Sequence, residues 1–576
     1  MNRRIDPITF EVVRNALAST ADEMALVIIR SAYSQVIRDT MDFSTALCDR
    51  HGELIAQGLT LAVQLGAFPA IMHHIIADEE NTRAGDAFIA NDPYGAGGQH
   101  LPDIYVIKPV FFDGVLEGYA ATMAHHCDVG GITPGSVALH ATEIYQEGLR
   151  IPLLKLIEEG QENKTLLKIV EKNTRLPIQV IGDLRAQLAA CNAGERGLAG
   201  LLEKYGADVL RPYLDELKNL AERMMKDEIA AIPDGEYYAE DFIDGVGEKP
   251  EPLKIAVLVK VDGDQITLDF AGTSKQIPAA INCPVAMAKS SAYCAIRCIG
   301  GTDIPNCEGY MRPVTVLAPE GTIINPVLPA ACAARGVMGY RVFDAIMLAL
   351  APVVPNKVIA AGEGGPTLFA FGGYHNGKQF VLTEVMVGTW GARAGLDGME
   401  GVSNPAANLS NQPIELIEAE MPIRINRYAL VTDSGGAGKF RGGLAFERGF
   451  EILTDEAVCT VRTDRRDHPP YGLDGGKSGS PSLNVLDPGP EQRILPTMPM
   501  EGLQLLKGNI FHHVAAGGGG FGRPLDRSPE RVLEDVLDDK VSIEAARHSY
   551  GVVIDPVTMT IDQEATVAQR RPGSKG

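Results

Sequence analysis

The sequence predicts an α+β fold in several units, with mixed sheets, a helical layer, and a glycine-rich, strand-dominated C-terminal half. Three observations carry that prediction. Apolar residues recur at helical spacing near the N-terminus and between 160 and 232; β-branched runs alternate around Asp-Gly pairs; and glycine clusters become dense beyond residue 360. The 576 residues suffice for several cores at about 150 residues per domain. Four segments are expected: an α/β module over 1–155, a helical segment over 156–232, an α+β domain over 233–360, and a glycine-rich β-dominated region with short C-terminal helices over 361–576.

Asp6-Pro7 is a helix-start signal, because proline is tolerated where the first N–H has no intrahelical partner. Phe10, Val13, Leu17, Met24, Val27 and Ile28 follow at helical spacing, so residues 7–38 read as one buried amphipathic helix. Phe43 to Gln57 reads as a hairpin turning at Asp49 to Gly52, with His51 a solvated turn residue. A second hairpin runs from Ile104 to Phe112, through the two-residue turn Asp113-Gly114, and back over Val115 to Ala124. In the helical segment Leu201, Leu202, Tyr205, Val209, Leu210, Tyr213, Leu214, Leu217 and Leu220 approximate one apolar stripe, read as an intramolecular packing layer.

From Pro233-Asp234-Gly235 the pattern changes to strands, with residues 255–259 and 266–270 flanking Asp262-Gly263. Residues 284–300 and 337–352 read as helices, the second stopped by Pro352 and Pro355. The clusters at Gly362 to Gly365, Gly435 to Gly438, Gly442-Gly443 and Gly517 to Gly520 read as tight turns needing positive φ. None opens a helix with the Lys-Ser or Lys-Thr ending of a phosphate-binding loop, so no nucleotide site is expected on this chain. Consecutive N–H groups at Gly517 to Gly522, near Arg523, offer an anion nest as a second reading of that cluster. Pro529 to Leu537 and Ser542 to Tyr550 read as short helices, and the polar tail past 565 as frayed.

Hydrophobic residues at 45% and charged residues at 22% describe a globular protein, and the net charge of -22 argues against nucleic acid or an anionic membrane as partner. There is no signal-peptide core and no apolar run of about 18 residues, so the expected location is cytoplasmic. Nine cysteines, an odd number spread along the chain, make no disulfide framework. Cys294 and Cys298 read as one buried helix face, and Cys127 as a small buried hydrophobe.

The chemistry gathers at Gly97-Gly98-Gln99-His100-Leu101-Pro102-Asp103 and His125-His126-Cys127-Asp128. Carrying a Phe112–Val115 pairing to the open end of the hairpin places His125 opposite Pro102, within reach of His100 and Asp103. Strict alternation puts His100 and His125 on one face and Asp103 and His126 elsewhere, although Pro102 breaks regular strand geometry there. Two imidazoles and one carboxylate leave coordination positions open, as a catalytic zinc, manganese or iron site requires. At this point polar loop residues satisfying backbone groups are an equal alternative.

An ordered series of segments resembles the hydantoinase B/oxoprolinase family. The series comprises Asp6-Pro7-Ile8-Thr9-Phe10-Glu11-Val12, Asp42-Phe43-Ser44, Asn91-Asp92-Pro93-Tyr94, the two clusters just described, and Glu147-Gly148-Leu149-Arg150-Ile151-Pro152. It continues through Asp269 to Ser274, Asp433-Ser434-Gly435-Gly436, Arg441-Gly442-Gly443, Gly517 to Gly522, and Ala545-Ala546-Arg547.

The resemblance implies an ATP-dependent enzyme of two subunit types in a hetero-oligomer such as a heterotetramer. A hydantoinase A-type partner would bind ATP and phosphorylate the substrate, and the B-type chain would open a hydantoin, lactam or 5-oxoproline ring. In its carboxylase branch the resemblance also implies a divalent metal ion, here zinc or manganese, on His100, Asp103 and His125, with Asp92 and Asp128 as motif positions around it. From the residues themselves, His126 reads as a surrounding or packing residue on the other face of the hairpin, and Glu147 and Arg150, which follow the site closely, as orienting substrate or an anion, with a surface ion pair as the alternative. No side chain is singled out as general base. A metal-acidified water, its pKa lowered from near 16 to about 7, would be the nucleophile. Two alternatives accompany this reading: the large subunit of an acetone- or acetophenone-type ketone carboxylase, and a noncatalytic scaffold for the kinase-type subunit.

Overall fold

The computed structural model describes residues 5–77, 79–365 and 367–571. Its N-terminal sheet has seven strands in the order β2-β1-β5-β4-β3-β6-β7. These are β1 Phe43–Asp49, β2 Leu54–Gln57, β3 Ala87–Ala90, β4 Asp103–Phe112, β5 Val115–His125, β6 Leu154–Glu158 and β7 Gln161–Glu162. Every neighbouring pair is antiparallel. The central β4–β5 hairpin turns at Asp113 (φ 48°) and Gly114 (φ 77°), the left-handed pair that a two-residue turn needs to match strand twist.

One irregularity in that hairpin decides the site. Phe111 faces Leu116 but Val110 faces Gly118, so Glu117 is the extra residue of a bulge. All pairs toward the open end are displaced by one residue, and Asp103 lies opposite His125. The turn-projected register, which set His125 against Pro102, is therefore corrected. Directly opposed residues share a sheet face, so Asp103 and His125 point the same way.

Helices Pro7–Ser31 and Pro177–Tyr205 pack together, and the second also lies on β4 and β5. Glycine permits the close approach: a Cβ at Gly197 would lie 2.3 Å from Thr20 Cγ2. The single helix expected over 7–38 is two, Pro7–Ser31 and Gln35–Arg38. The break has a cause, since buried Asp183 takes the N–H groups of Tyr33 and Ser34 at 2.7 and 3.1 Å, in competition with the helix.

Residues 156–232 contribute helices Lys164–Asn173, Pro177–Tyr205 and Ala207–Ala230. A second, mixed sheet follows, formed by Gly235–Ile243, Leu253–Asp262, Gln265–Asp269 and Val314–Leu317, with only the last pair parallel. The helix Gly336–Leu350 packs on this sheet and on the helix Val285–Ile299. It is buried at every position except Leu348, with Arg341 and Asp344 among the enclosed residues. On Val285–Ile299 Cys294 is buried but Cys298 is exposed, so the two thiols do not form one buried face. One apolar core extends from Phe10 to Phe521 through these layers.

The C-terminal half holds antiparallel sheets of four and five strands around a separate aromatic core of Phe369, Phe371, Phe450 and Phe511. The architecture is α+β, as the patterning predicts.

The glycine clusters need a correction. Of Gly517 to Gly522 only Gly522 has positive φ; the others let backbones touch. A Cβ at Gly518 would sit 2.1 Å from the Trp390 carbonyl, and one at Gly442 1.9 Å from the Gly518 carbonyl. The N–H groups of Gly517, Gly518, Gly519 and Gly520 donate to Ser480, Gly443, Ala361 and Lys477 carbonyls. Those donors are spent, which removes the anion-nest reading. Gln563–Gln569 is a helix capped by Asp562 rather than a frayed tail, and residues 572–576 of that expectation lie outside the described residues. No helix among the described residues is long and apolar enough to cross a membrane.

Candidate metal centre

The loop before β4 is held by Asn91, whose amide donates to Leu101 and Leu149 carbonyls at 2.7 and 3.0 Å and accepts from the Ile151 N–H at 2.6 Å. Gly98 must lie flat against this loop, since a Cβ there would be 2.5 Å from the Asn91 carbonyl. These constraints deliver His100 one turn before Asp103, whose N–H bonds the His100 carbonyl at 3.1 Å.

His100 Nε2 lies 3.3 Å from Asp103 Oδ1, and the His100 and His125 rings are 5.0 Å apart. One nitrogen from each histidine and one Asp103 oxygen fall within 4.8 Å of one another. His100 and Asp103 are fully enclosed and His125 is 4% exposed. His100 Nδ1 donates to the Ala333 carbonyl at 2.8 Å, which leaves Nε2 as a bare lone pair. His100 Nε2, Asp103 Oδ1 and His125 Nδ1 have no hydrogen-bond partner. Each buried orphan costs about 1–3 kcal/mol, and partnerless polar atoms on three converging ligand-type residues, two of them the bare acceptors His100 Nε2 and Asp103 Oδ1, fit a cation.

Electrostatics supports the same fit. Burial holds both imidazoles below their ordinary pKa, His125 the more strongly, so both are neutral and free to ligate at neutral pH. Burial pushes the Asp103 carboxyl up, but the Arg335 charge outweighs it and holds it well below the carboxylate range. Arg335 Nη2 bonds Asp103 Oδ2 directly and Gln99 Oε1 at 3.0 Å.

A cavity of about 30 Å³ adjoins the triad, with Asp42, His125, Arg335, Tyr340 and Arg462 in its wall. Asp42 is pushed up to about 7 by burial and by the Asp103 charge, and accepts from Gln64 Nε2 at 2.9 Å. Its carbonyl takes the His125 N–H at 2.9 Å, tying it to the strand end that carries the histidine.

The other residues expected around the triad separate. Glu147 is closest in effect: it accepts the Cys332 and Ala333 N–H groups at 2.6 and 2.7 Å, and Ala333 in turn holds His100. Burial raises its carboxyl to about 8. His126 points to the opposite face and bonds Gln187 Oε1 at 3.0 Å. Asp128 is consumed by Gly130, Gly135 and Arg175, and so organises its loop. Asp92 accepts the Tyr94 N–H at 3.0 Å and lies 3.6 Å from Arg150, whose guanidinium sits 5.0 Å over the Tyr145 ring. None of these last four touches the triad. Cys127 is buried, its thiol raised well above the ordinary value by burial, and is no nucleophile.

Residues 6–524 match the model of the hydantoinase B/oxoprolinase family. The chain belongs to that family. It is 37% identical to the B-type subunit of a putative D-/L-hydantoinase from Pseudomonas sp. (strain NS671), over 99% of this chain and 98% of that one. The crystal structure of the ATP-dependent caprolactamase from Pseudomonas jessenii superposes with a TM-score of 0.92 at 33% identity, covering 99% and 100% of the two chains. A nucleotide-free acetone carboxylase structure gives a TM-score of 0.90 at 19% identity, covering 98% of this chain and 82% of that one, a likeness of fold.

Motif reasoning did not single out Arg335, Arg462, Tyr340 or Gln99. Asp42 and Gln99 carried a signal, their places in the Asp42-Phe43-Ser44 and Gly97 to Asp103 segments. Arg335 carried none, because it reaches Asp103 from 232 positions away.

Proposed function

We propose that this chain is the B-type subunit of an ATP-dependent cyclic amidase, opening a hydantoin, lactam or 5-oxoproline ring after a hydantoinase A-type partner has phosphorylated it. The observation that carries the proposal is the enclosed trio of partnerless ligand atoms on His100, Asp103 and His125. In this reading they hold a divalent ion, zinc or manganese, with Asp42 beside them. Such an ion supplies Lewis acidity and lowers the pKa of water to about 7.

The chain's own residues do the positioning. Glu147 fixes Ala333, whose carbonyl sets the His100 tautomer and ring orientation. Arg335 anchors one Asp103 oxygen and leaves the other facing His100. ATP is used through the partner in this assignment, and the assembly is a hetero-oligomer. The relatives support it: one is named as the B-type component of a hydantoinase and another structure is an ATP-dependent caprolactamase, whereas the likeness to acetone carboxylase extends to fold alone.

The test is turnover by the protein purified with its A-type partner. ATP hydrolysis coupled to loss of a lactam, hydantoin or 5-oxoproline is expected; a requirement for a ketone plus bicarbonate would overturn the amidase assignment. His100→Ala is expected to lose metal and turnover while the complex still assembles, and retained activity would favour a scaffold role.

A further inference from the structure

The helices Val285–Ile299 and Gly336–Leu350 each border two cavities. Met287, Gly336 and Tyr340 line the small one beside the triad. Further along the same helices, Ile299, Phe343 and Met347 line a larger one of about 550 Å³, a volume usual for a small-molecule site. From Gly336 to Met347 the helix runs roughly 16 Å, at about 1.5 Å per residue. The larger cavity is therefore distinct from the metal centre.

Its wall combines an apolar interior with one unpaired cation. Phe343 and Met347 are each 1% exposed and Ile299 4%. Trp390, the only tryptophan of the chain, is fixed by its indole N–H, which donates to the Ser403 carbonyl. The Arg393 guanidinium lies 5.5 Å from the Trp390 ring centroid, and its backbone is bridged to Ile359 and Leu396. Among the described residues Arg393 has no ion pair and no side-chain hydrogen bond. The cation–π contact consumes none of its N–H donors. The other charged groups of the wall, Lys357 and Glu228, pair with each other at 2.5 Å. One positive charge is thus in excess here, in a chain whose net charge is -22. The C-terminal end of Val285–Ile299 opposes an anion, but Arg297 in its last turn offsets that end and takes the Gly301 and Ile304 carbonyls at 2.9 and 2.6 Å.

We propose that this cavity is a second binding site, for a small organic carboxylate with an apolar body: Arg393 takes the carboxylate, and Phe343, Met347 and Trp390 take the body. The planar guanidinium fork matches a carboxylate in geometry and charge, whereas inorganic phosphate would leave the apolar wall unused. Ring opening of an amide generates a carboxylate, so the proposed reaction makes molecules of this class. The site itself rests on the cavity wall alone, and it and the amidase reading can fail separately.

Two reporters stand in the wall. Trp390 is the sole tryptophan, and Cys298 is the only exposed thiol among the nine cysteines. The complete chain is titrated with phenylacetate, its neutral analogue phenylacetamide, and inorganic phosphate, following Trp390 fluorescence and the rate at which iodoacetamide alkylates Cys298, read by mass spectrometry. Phenylacetate should change the fluorescence saturably, protect Cys298, and bind about 10-fold or more tighter than phenylacetamide, the scale of a charge-assisted hydrogen bond. Arg393→Gln should erase that preference. Arg393→Lys, which keeps the charge but not the fork, should retain part of it and serves if the glutamine variant does not fold. Binding should persist in His125→Asn, since the site is separate from the metal centre. The proposal is overturned if phenylacetate gives neither signal, if phenylacetamide or phosphate binds as tightly, if a folded Arg393 variant keeps the full preference, or if binding disappears in His125→Asn.

Discussion

Two enclosed charge clusters border the helix Gly336–Leu350, and they differ in which atoms are left over. Around Arg341 and Arg465, the carboxylates of Asp241, Asp244 and Asp464 have partners on both oxygens. The leftover atoms are the guanidinium Nε groups. At the His100, Asp103 and His125 end the leftovers include a polar atom on each of three converging ligand-type residues. The first cluster ties the second sheet to the C-terminal half through opposite charges; the second is incomplete as protein alone. His513 sharpens the point. It too is enclosed with an idle Nε2, yet Nδ1 pairs with Asn484 Oδ1 at 2.7 Å, and among the described residues it belongs to no cluster of three ligand-type side chains. An orphaned imidazole nitrogen is a site only in company.

The largest expected effect tests the incomplete cluster. His125→Asn should abolish metal content and turnover by the assembled enzyme, while the metal-free protein loses no more than about 2 kcal/mol of stability. Metal analysis and denaturant unfolding check both halves, and a stability loss matching that at Arg341 would erase the distinction. Arg341→Met should cost about 3–5 kcal/mol, because it strands the Asp241 and Asp464 carboxylates in the interior. Metal content should not change, as a titration of the folded variant would show.

Glu147→Ala acts one step from the triad. Releasing the Cys332–Ala333 segment frees the carbonyl that orients His100, and metal affinity should fall by roughly 10–100-fold. A competition titration with a chelator measures it, and an unaltered affinity would mean that Glu147 only shapes the loop.

At neutral pH the smallest effect is at His513, whose contribution emerges only on acidification. Burial, then His512 and Arg466, hold its pKa down to about 3 against an ordinary 6.5. The native state resists a proton that the unfolded chain accepts, so stability is complete above about 6.5 and declines as pH falls toward 3, by about 1.4 kcal/mol per pH unit at most. His513→Gln should flatten that part of the stability profile relative to wild type; an identical slope would remove His513 as its source.

The hairpin was legible because Asp113-Gly114 is a strong local signal between apolar runs. Its register was not, because the bulge at Glu117 arises where β5 meets neighbours on both sides, including the Arg211 side chain that takes its carboxylate. The glycine clusters were legible as structural, but local reasoning supplied positive φ where contact between distant backbones is the requirement. Asp128, placed near the triad by sequence adjacency, is turned away by Arg175.

By itself the sequence determined the α+β class and the family, and through the family pointed to His100, Asp103 and His125, because turns, periodicity and motif residues are properties of short segments. Tertiary structure alone decided that Asp103 faces His125, that Asp42 joins them, and that Arg335 and Arg462 close over the cavity. Those relations depend on a one-residue register shift and on contacts between segments hundreds of residues apart, where long-range packing, rather than local propensity, sets the geometry.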